Sequence, residues 1–140
     1  MRNYFVLLVV FVTSLISSVS SASQWAFIGA DDKGNNWAVE KSSIVSDGRT
    51  IRAWKRIEFK ERQPYPPNGE LIQNVYFLDV VNCANHQVGV KASRLLRVDG
   101  SVIAAHEDKD ENIQWQTVAP DTVVEKTMMY VCSNAPKAAK

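Results

Sequence analysis

The sequence has little of what several common protein classes require. Only two of its 140 residues are cysteine, and it contains no CxxC pair, HExxH motif or Walker loop. This excludes a disulfide-dense miniprotein and gives no support to a common zinc or nucleotide site. The formal net charge is only +1, which argues against a nucleic-acid binder. With six Gly, five Pro and 46% hydrophobic residues, the composition predicts one folded domain with a single core.

Long apolar runs are also absent. The apolar run Tyr4–Val12 has nine residues, whereas roughly 18 to 20 are needed to cross a bilayer, so a stable membrane span is not expected. Arg2 precedes this run and the small residues Ser20-x-Ala22 follow it, which is typical of a secretory signal peptide. We expect residues 1–22 to be removed by cleavage after Ala22. No cysteine stands directly after the cleavage site, so a lipoprotein anchor has no attachment point, and the protein is expected in the periplasm or the medium.

The two cysteines, Cys83 and Cys132, both remain after cleavage. A pair of cysteines in an exported domain normally forms a disulfide, because the compartment is oxidising. We therefore expect a disulfide between these two residues. The alternative is that both remain reduced, buried thiols.

Seven segments have the alternating or β-branched pattern of strands, and short turns containing Gly or Asn separate several of them. Hairpins of this kind predict an antiparallel sheet of about six strands. The segments are Gln24–Gly29, Asn36–Glu40, Arg49–Lys60, Leu71–Cys83, His86–Val98, Ser101–Ala105 and Ile113–Val118.

Two positions break the alternation. Lys55 falls on an apolar face, so we expect an edge position or a bulge that lets its ammonium reach water. Near the C-terminal end of the fifth segment, the alternation places Val90 and Ala92 on one face, but Arg94 and Leu95 are exchanged relative to it. This exchange indicates a bulge in that strand.

The C-terminal part changes to a helical period. Thr122 and Glu125 form a capping-box signature, and an apolar stripe follows them. A disulfide from Cys132 would tether this helix to one face of the sheet, with residues 135–140 as a flexible tail. The predicted fold class is α+β. The stripe consists of Val124, Met128, Val131 and Cys132.

Four short segments, taken in order, resemble the surface-adhesin protein E family of Gram-negative bacteria. They are Trp25–Gly29, Asn82–Asn85, Ala119–Thr122 and Val131–Asn134. Together they define an adhesin E-like domain over residues 23–134. The resemblance implies a six-stranded antiparallel sheet with a C-terminal helix that a disulfide tethers, in agreement with the elements above.

The resemblance also implies a function in cell adhesion. The studied adhesin of the family binds host extracellular-matrix proteins, plasminogen and haem. This chain departs from it in two ways: it lacks the lipobox cysteine, and it has Asn68-Gly69-Glu70 where the adhesin has a basic run. Adhesion through those positions is therefore not expected.

The best candidate ligand patch lies in the third strand segment. Arg52, Trp54 and Arg56 share one strand face, with Lys60 beyond them. A basic stripe with an aromatic residue could stack on, or pair with, an acidic or planar partner. The alternative is a solvated outer face in which Trp54 packs against arginine stems.

Other candidate ligands are weaker. His86 follows the strand that ends at a cysteine, so haem or metal ligation through it is one interpretation and a structural or exposed histidine is the other. His106–Glu111 and Asp31–Asn35 carry oxygen ligands but lack the spacing of a calcium loop, so a solvated loop and a turn are expected there, with no metal site. Tyr65 and Trp115 are candidate exposed anchors or core residues.

No catalytic residues are predicted. The serines lack a G-x-S-x-G elbow, and a disulfide would occupy both cysteines. We therefore expect an exported non-enzymatic binding module that recognises a protein or a small planar ligand through a sheet face. The alternative is a structural or envelope-maintenance domain of the periplasm, which acts through an envelope partner or as a homodimer formed by edge strands.

Overall fold

The computed structural model describes residues 22–137, and within this range the chain forms an antiparallel sheet of eight strands and one α-helix. The strand order is β1-β2-β4-β5-β6-β7, with the short β3 paired to β4 and β8 paired to β6. The α+β prediction with six main strands is confirmed. Residues 1–21 of the expected signal peptide and 138–140 of the expected tail lie outside the described residues. The elements are β1 Trp25–Ala30, β2 Asn36–Glu40, β3 Val45–Asp47, β4 Thr50–Pro64, β5 Leu71–Asn82, β6 Gln87–Leu96, β7 Val102–Glu107, β8 Gln116–Thr117 and α1 Val123–Asn134.

The turn between β1 and β2 is held by one carboxylate. The Oδ1 atom of Asp31 accepts hydrogen bonds from the backbone N–H groups of Lys33 and Asn35, each at 3.0 Å. Gly34 has a φ of +80°, a conformation that a residue without Cβ adopts at low cost. The predicted first hairpin is confirmed, and its cause is local turn chemistry.

Helix α1 begins at the predicted cap. The Thr122 hydroxyl accepts a hydrogen bond from the Glu125 N–H at 3.1 Å, and the Glu125 carboxylate accepts one from the Asp121 N–H at 2.8 Å. These bonds satisfy donors that the helix itself leaves free. The helix lies across β1, β2, β4 and β5, and its inner side buries Met128 and Val131 against the sheet.

The main hydrophobic core lies between α1 and one face of the sheet, which we call the helix-covered face. Strands β2, β4 and β5 supply Val39, Ala53 and Val81, none more than 1% exposed. A disulfide between Cys83 and Cys132, with an S–S distance of 2.07 Å, joins the end of β5 to α1 beside this core. The predicted tether is confirmed.

The expected position of Lys55 is wrong, because β4 is an interior strand and this side chain is only 7% exposed. Its Nζ lies 2.8 Å from Oδ2 of Asp79 on β5, and 5.2 Å from the ring centroids of Trp37 and Phe77. Burial raises the pKa of Asp79 even though Lys55 opposes the shift. The lysine therefore needs no route to water, since a neighbouring strand supplies its counter-charge.

The bulge predicted in β6 exists, but it lies at Lys91, earlier than expected. Leu78 of β5 pairs with Ala92, whereas the adjacent Asp79 pairs with Val90, so Lys91 has no partner on β5. The expectation that Val90 and Ala92 share one face is wrong, because the extra residue shifts the alternation between them.

The opposite side of the sheet, which we call the helix-free face, carries every second residue of β4, among them Trp54. The bulge adds Ala92 and Arg94 to this face, since they pair with Leu78 and Tyr76 of β5. One part of the face is covered by the segment 108–115. There the buried Ile113 lies so close to Gly89 that a Cβ on this glycine would collide with it.

Candidate functional site

The uncovered part of the helix-free face contains an open pocket of about 420 Å³, which we call the aromatic pocket. Four strands contribute a side chain of the helix-free face to it: Trp25 comes from β1, Trp54 from β4, Tyr76 from β5 and Arg94 from β6. Glu40, the last residue of β2, also lines it. The remaining lining residues are Ser23, Leu96, Gly100 and Val102.

Aromatic rings and guanidinium groups alternate along this surface. The ring centroids of Trp25 and Tyr76 are 5.5 Å apart. The Arg94 Cζ atom lies 5.0 Å from the centroid of Trp54, and the Arg56 Cζ atom lies 4.8 Å from that of Trp25. Such stacking holds each guanidinium flat while leaving its N–H groups available at the edge. The pocket therefore offers planar apolar area together with positive charge.

Glu40 supplies the one carboxylate that lines the aromatic pocket, and the residue is only 8% exposed. Its Oε1 atom accepts hydrogen bonds from the Gln24 N–H at 2.8 Å and from the Ser42 hydroxyl at 2.7 Å. Burial opposes its ionisation, but the hydrogen bonds from Ser42 and Gln24 outweigh burial and lower the pKa of the carboxyl. The second oxygen, Oε2, is buried and has no partner among the described residues.

Arg52 lies on the helix-free face but is already engaged with acidic side chains. Its Nη2 atom is 2.7 Å from Asp47 and 3.4 Å from Asp110. Lys91, the bulge residue, also binds Asp110, and its hydrogen bond, together with the charges of Lys91 and Arg52, lowers the pKa of Asp110 despite some desolvation. This cluster ties the segment 108–115 to β4 and β6.

Lys60 and His86 do not line the aromatic pocket. Lys60 is exposed near the far end of β4, where its stem packs on Gly34 of the first hairpin. His86 is exposed in the turn between β5 and β6, with a φ of 52°, beside a depression of about 180 Å³ that the disulfide also lines. Five ligand-binding residues were predicted from the sequence. Of these, only Trp54 lines the aromatic pocket, and Arg56 stacks on Trp25 beside it.

The surroundings of His86 do not fit haem. The depression next to its imidazole is smaller than the roughly 300 Å³ at which pockets for small organic ligands begin. The depression and the aromatic pocket also have no lining residue in common, so the His86 imidazole does not face the aromatic rings across one ligand site.

The segment Asn68-Gly69-Glu70 closes the hairpin between β4 and β5. The side-chain amide of Asn68 donates to the Glu70 carboxylate at 2.6 Å, and Glu70 also forms an ion pair with Arg97. These contacts give the segment a structural role.

Sequence reasoning missed several of the lining residues. Trp25 and Tyr76 were assigned to strands, but nothing in a single sequence indicates that their rings meet. The sequence shows Arg94 only as a break in the strand alternation. It does not show that the bulge lies at Lys91 or that Arg94 therefore faces Trp54. Glu40 ends a strand, and its burial depends on bonds from residues before and after that strand.

Residues 22–137 contain no group of three or more His, Cys, Asp or Glu side chains placed to hold a metal ion. In the run His106–Glu111, His106 contacts Asp108 at 3.1 Å while Asp110 belongs to the cluster with Arg52. Within the same range, no helix combines the length and the apolar character needed to cross a bilayer.

Comparison with known proteins gives one consistent result. A family model described as surface-adhesin protein E matches residues 25–133. Protein E of Haemophilus influenzae superposes with a TM-score of 0.56 at 16% identity, covering 81% of this chain and 89% of that chain. Its selenomethionine form gives a TM-score of 0.56 at 16% identity, with 84% and 97% covered, and protein E from non-typeable Haemophilus influenzae gives 0.53 at 15% identity, with 81% and 79% covered. No curated protein sequence matches at a significant level. The structural likeness shows a shared fold.

Proposed function

The chain belongs to the surface-adhesin protein E family, and we propose that it is an exported, non-enzymatic protein that binds a protein partner through the aromatic pocket on its helix-free face. The observation that carries this proposal is the convergence of Trp25, Trp54, Tyr76 and Arg94 on one open pocket. Tryptophan, tyrosine and arginine are the residue types that dominate binding energy in protein interfaces. The family match supports adhesion as the context.

The chemistry of the pocket indicates what the partner presents. The rings offer flat apolar area, and the edges of Arg56 and Arg94 offer N–H donors. A partner segment with an aromatic or other planar side chain next to a carboxylate would use both. Because Arg52 is paired with Asp47 and Asp110, we assign the binding to the arginines at the rings and not to Arg52.

The proposal is tested by measuring binding to a panel of extracellular-matrix proteins by surface plasmon resonance. Trp54→Ala and Arg94→Ala are each expected to weaken binding by at least about 10-fold, as truncation of an interface anchor does. The matched control is Trp115→Ala, since this tryptophan is 41% exposed and lies outside the pocket. Unchanged binding by variants that keep the wild-type circular dichroism spectrum would refute the assignment to this face.

Export and display are a separate part of the proposal. We propose that the protein is exported with cleavage after Ala22, in keeping with its membership of a surface-adhesin family. Protease digestion of intact cells, or recovery from the medium, is the expected result for a protein that meets a host partner. Protection until the outer membrane is opened by osmotic shock would instead favour an envelope role.

Self-association is the second candidate, and the outer edges of the sheet favour it. β1 and β7 each pair on one side only within the described sheet, and their exposed side chains include Phe27 at 68% and Val102 at 50%. Open edges with apolar side chains can pair with a second copy. Light scattering with a concentration-dependent rise in mass would support a homodimer, whereas a monomer at every concentration would exclude it.

A further inference from the structure

We infer that Glu40, which lines the aromatic pocket, is a binding site for a primary ammonium group. The residue is more than nine-tenths buried, it lines the pocket, and its Oε2 atom has no hydrogen-bond partner among the described residues. An ionised carboxylate oxygen that is buried without a donor is costly, so a donor is expected there. Nothing in the described protein supplies one.

The hydrogen bonds already made by the other oxygen of Glu40 limit which donor groups fit. Oε1 of Glu40 already accepts from the N–H of Gln24 and from both the N–H and the hydroxyl of Ser42. A guanidinium binds a carboxylate best through both oxygens at once, and only one remains. An ammonium is a compact donor that needs a single oxygen, so it suits the one oxygen of Glu40 that is left.

Two sources could supply this ammonium, and the geometry favours the chain itself. Ser23 lines the pocket, and the next residue, Gln24, donates its N–H to the same carboxylate at 2.8 Å. Cleavage after Ala22 would turn the peptide nitrogen of Ser23 into an α-ammonium one residue away from that bond. The other source is the ammonium of a bound partner, such as a lysine side chain, and this source alone rests on the proposed function.

The first arm of the test removes the α-ammonium. Exported protein is purified, and intact mass spectrometry establishes its N-terminus. Mild periodate cleaves the 1,2-amino alcohol of an N-terminal serine to a glyoxylyl group, with loss of the nitrogen as ammonia and of the side-chain carbon as formaldehyde, while periodate is reduced to iodate. The melting temperature is expected to fall by about 4 °C after oxidation. The fall should vanish in Glu40→Gln but persist in the matched control Glu58→Gln, an exposed glutamate on the neighbouring strand β4.

The second arm adds methylammonium and follows tryptophan fluorescence. If the chain supplies the ammonium, the oxidised protein binds methylammonium and the untreated protein does not. If a partner supplies it, both forms bind, and in each case Glu40→Gln abolishes binding. Tetramethylammonium has no N–H and is expected to bind at least 10-fold more weakly.

Three outcomes would overturn the inference: no change in melting temperature together with no methylammonium binding, equal effects in Glu40→Gln, or equal binding of tetramethylammonium. None of these measurements uses the protein partner. If the ammonium inference fails, the effect of Trp54→Ala and Arg94→Ala on partner binding is unaffected. If those variants bind the partner normally, the ammonium measurements on Glu40 are likewise unaffected.

Discussion

The two faces of the sheet use the same strands for different purposes. In β4, Ala53 and Lys55 point to the helix-covered face and are 1% and 7% exposed, whereas Trp54 and Arg56 point to the helix-free face and remain partly open to water. The first face is closed by α1 and the disulfide. The second is closed only over the part that the segment 108–115 covers.

This difference separates stability from recognition. A change on the helix-covered face creates a cavity or an unpaired charge, so its effect appears in the free energy of unfolding. A change in the aromatic pocket removes a side chain that already has solvent on one side, so its effect is expected in binding. Substitutions on the two faces should therefore differ in what they change.

Removing the disulfide should weaken the helix-covered face most. The bond between Cys83 and Cys132 closes a loop with a sequence separation of 49 residues, for which chain entropy gives about 4 kcal/mol. The double variant Cys83→Ser/Cys132→Ser should therefore melt more than about 10 °C below the wild type in a calorimetric scan. The near-UV signal of the aromatic pocket should persist at low temperature. A shift of one or two degrees would contradict the assignment of this much stability to the tether.

Breaking the buried ion pair should come next. Lys55→Met leaves the Asp79 carboxylate buried without its partner, which is expected to cost about 3 kcal/mol at neutral pH. Because burial raises the pKa of Asp79, the cost should shrink as pH falls through that raised pKa and the carboxyl becomes neutral. Urea titrations at several pH values measure this.

Two further variants control for the ion-pair result. The double variant Lys55→Met/Asp79→Leu should recover much of the loss, since no charge is left buried. Lys41→Met, at an exposed lysine, should change little. If the single and double variants at the pair are equally unstable, the loss comes from packing around Trp37 and Phe77 and not from charge.

Gly89→Ala tests the covered part of the helix-free face. Its Cβ would collide with Ile113, so the segment 108–115 must shift, at an expected cost of about 2 kcal/mol. Hydrogen exchange should increase in that segment and not in α1. Gly29→Ala is the matched control, since nothing lies within 4 Å of its Cβ position. Equal losses in both variants would mean that strand propensity, and not the collision, is responsible.

The smallest effect is expected at the first turn. Burial tends to raise the pKa of Asp31, but hydrogen bonds from Asn35, Trp37 and Lys33 outweigh it and lower this pKa. Its contribution to stability should therefore be complete above about pH 4 and be lost as pH falls toward the lower native pKa. Asp31→Ala should cost about 1 kcal/mol at pH 7 and flatten the acid limb of the stability curve. Asp32→Ala, at the exposed neighbour, should change the stability at pH 7 little.

Features set by neighbouring residues could be predicted from the sequence. The turn at Asp31, the helix cap at Thr122 and the strand alternation in β4 all depend on side chains within a few positions. The disulfide was predictable because only two cysteines exist. These features were enough to predict the α+β class and which part of the chain forms the helix.

The remaining features depend on contacts between distant parts of the chain. Lys55 is buried because Asp79 lies opposite on the next strand, and the sequence does not display this pairing. Trp54 was recognised as a candidate, but Trp25 and Tyr76 come from other strands and meet only once the sheet forms. The candidate site was therefore only partly predicted: its central strand was found, and most of the other lining residues were not.

The unpaired Lys91 in β6 has a consequence for how relatives are compared. A relative without this extra residue would carry the following side chains on opposite sides of an otherwise identical sheet. One insertion or deletion at this position therefore exchanges the residues that the following part of β6 carries on the two faces of the sheet. An alignment without a gap at this position would match Arg94 with a residue from the opposite face of the sheet, and substitution scores alone would not reveal the error.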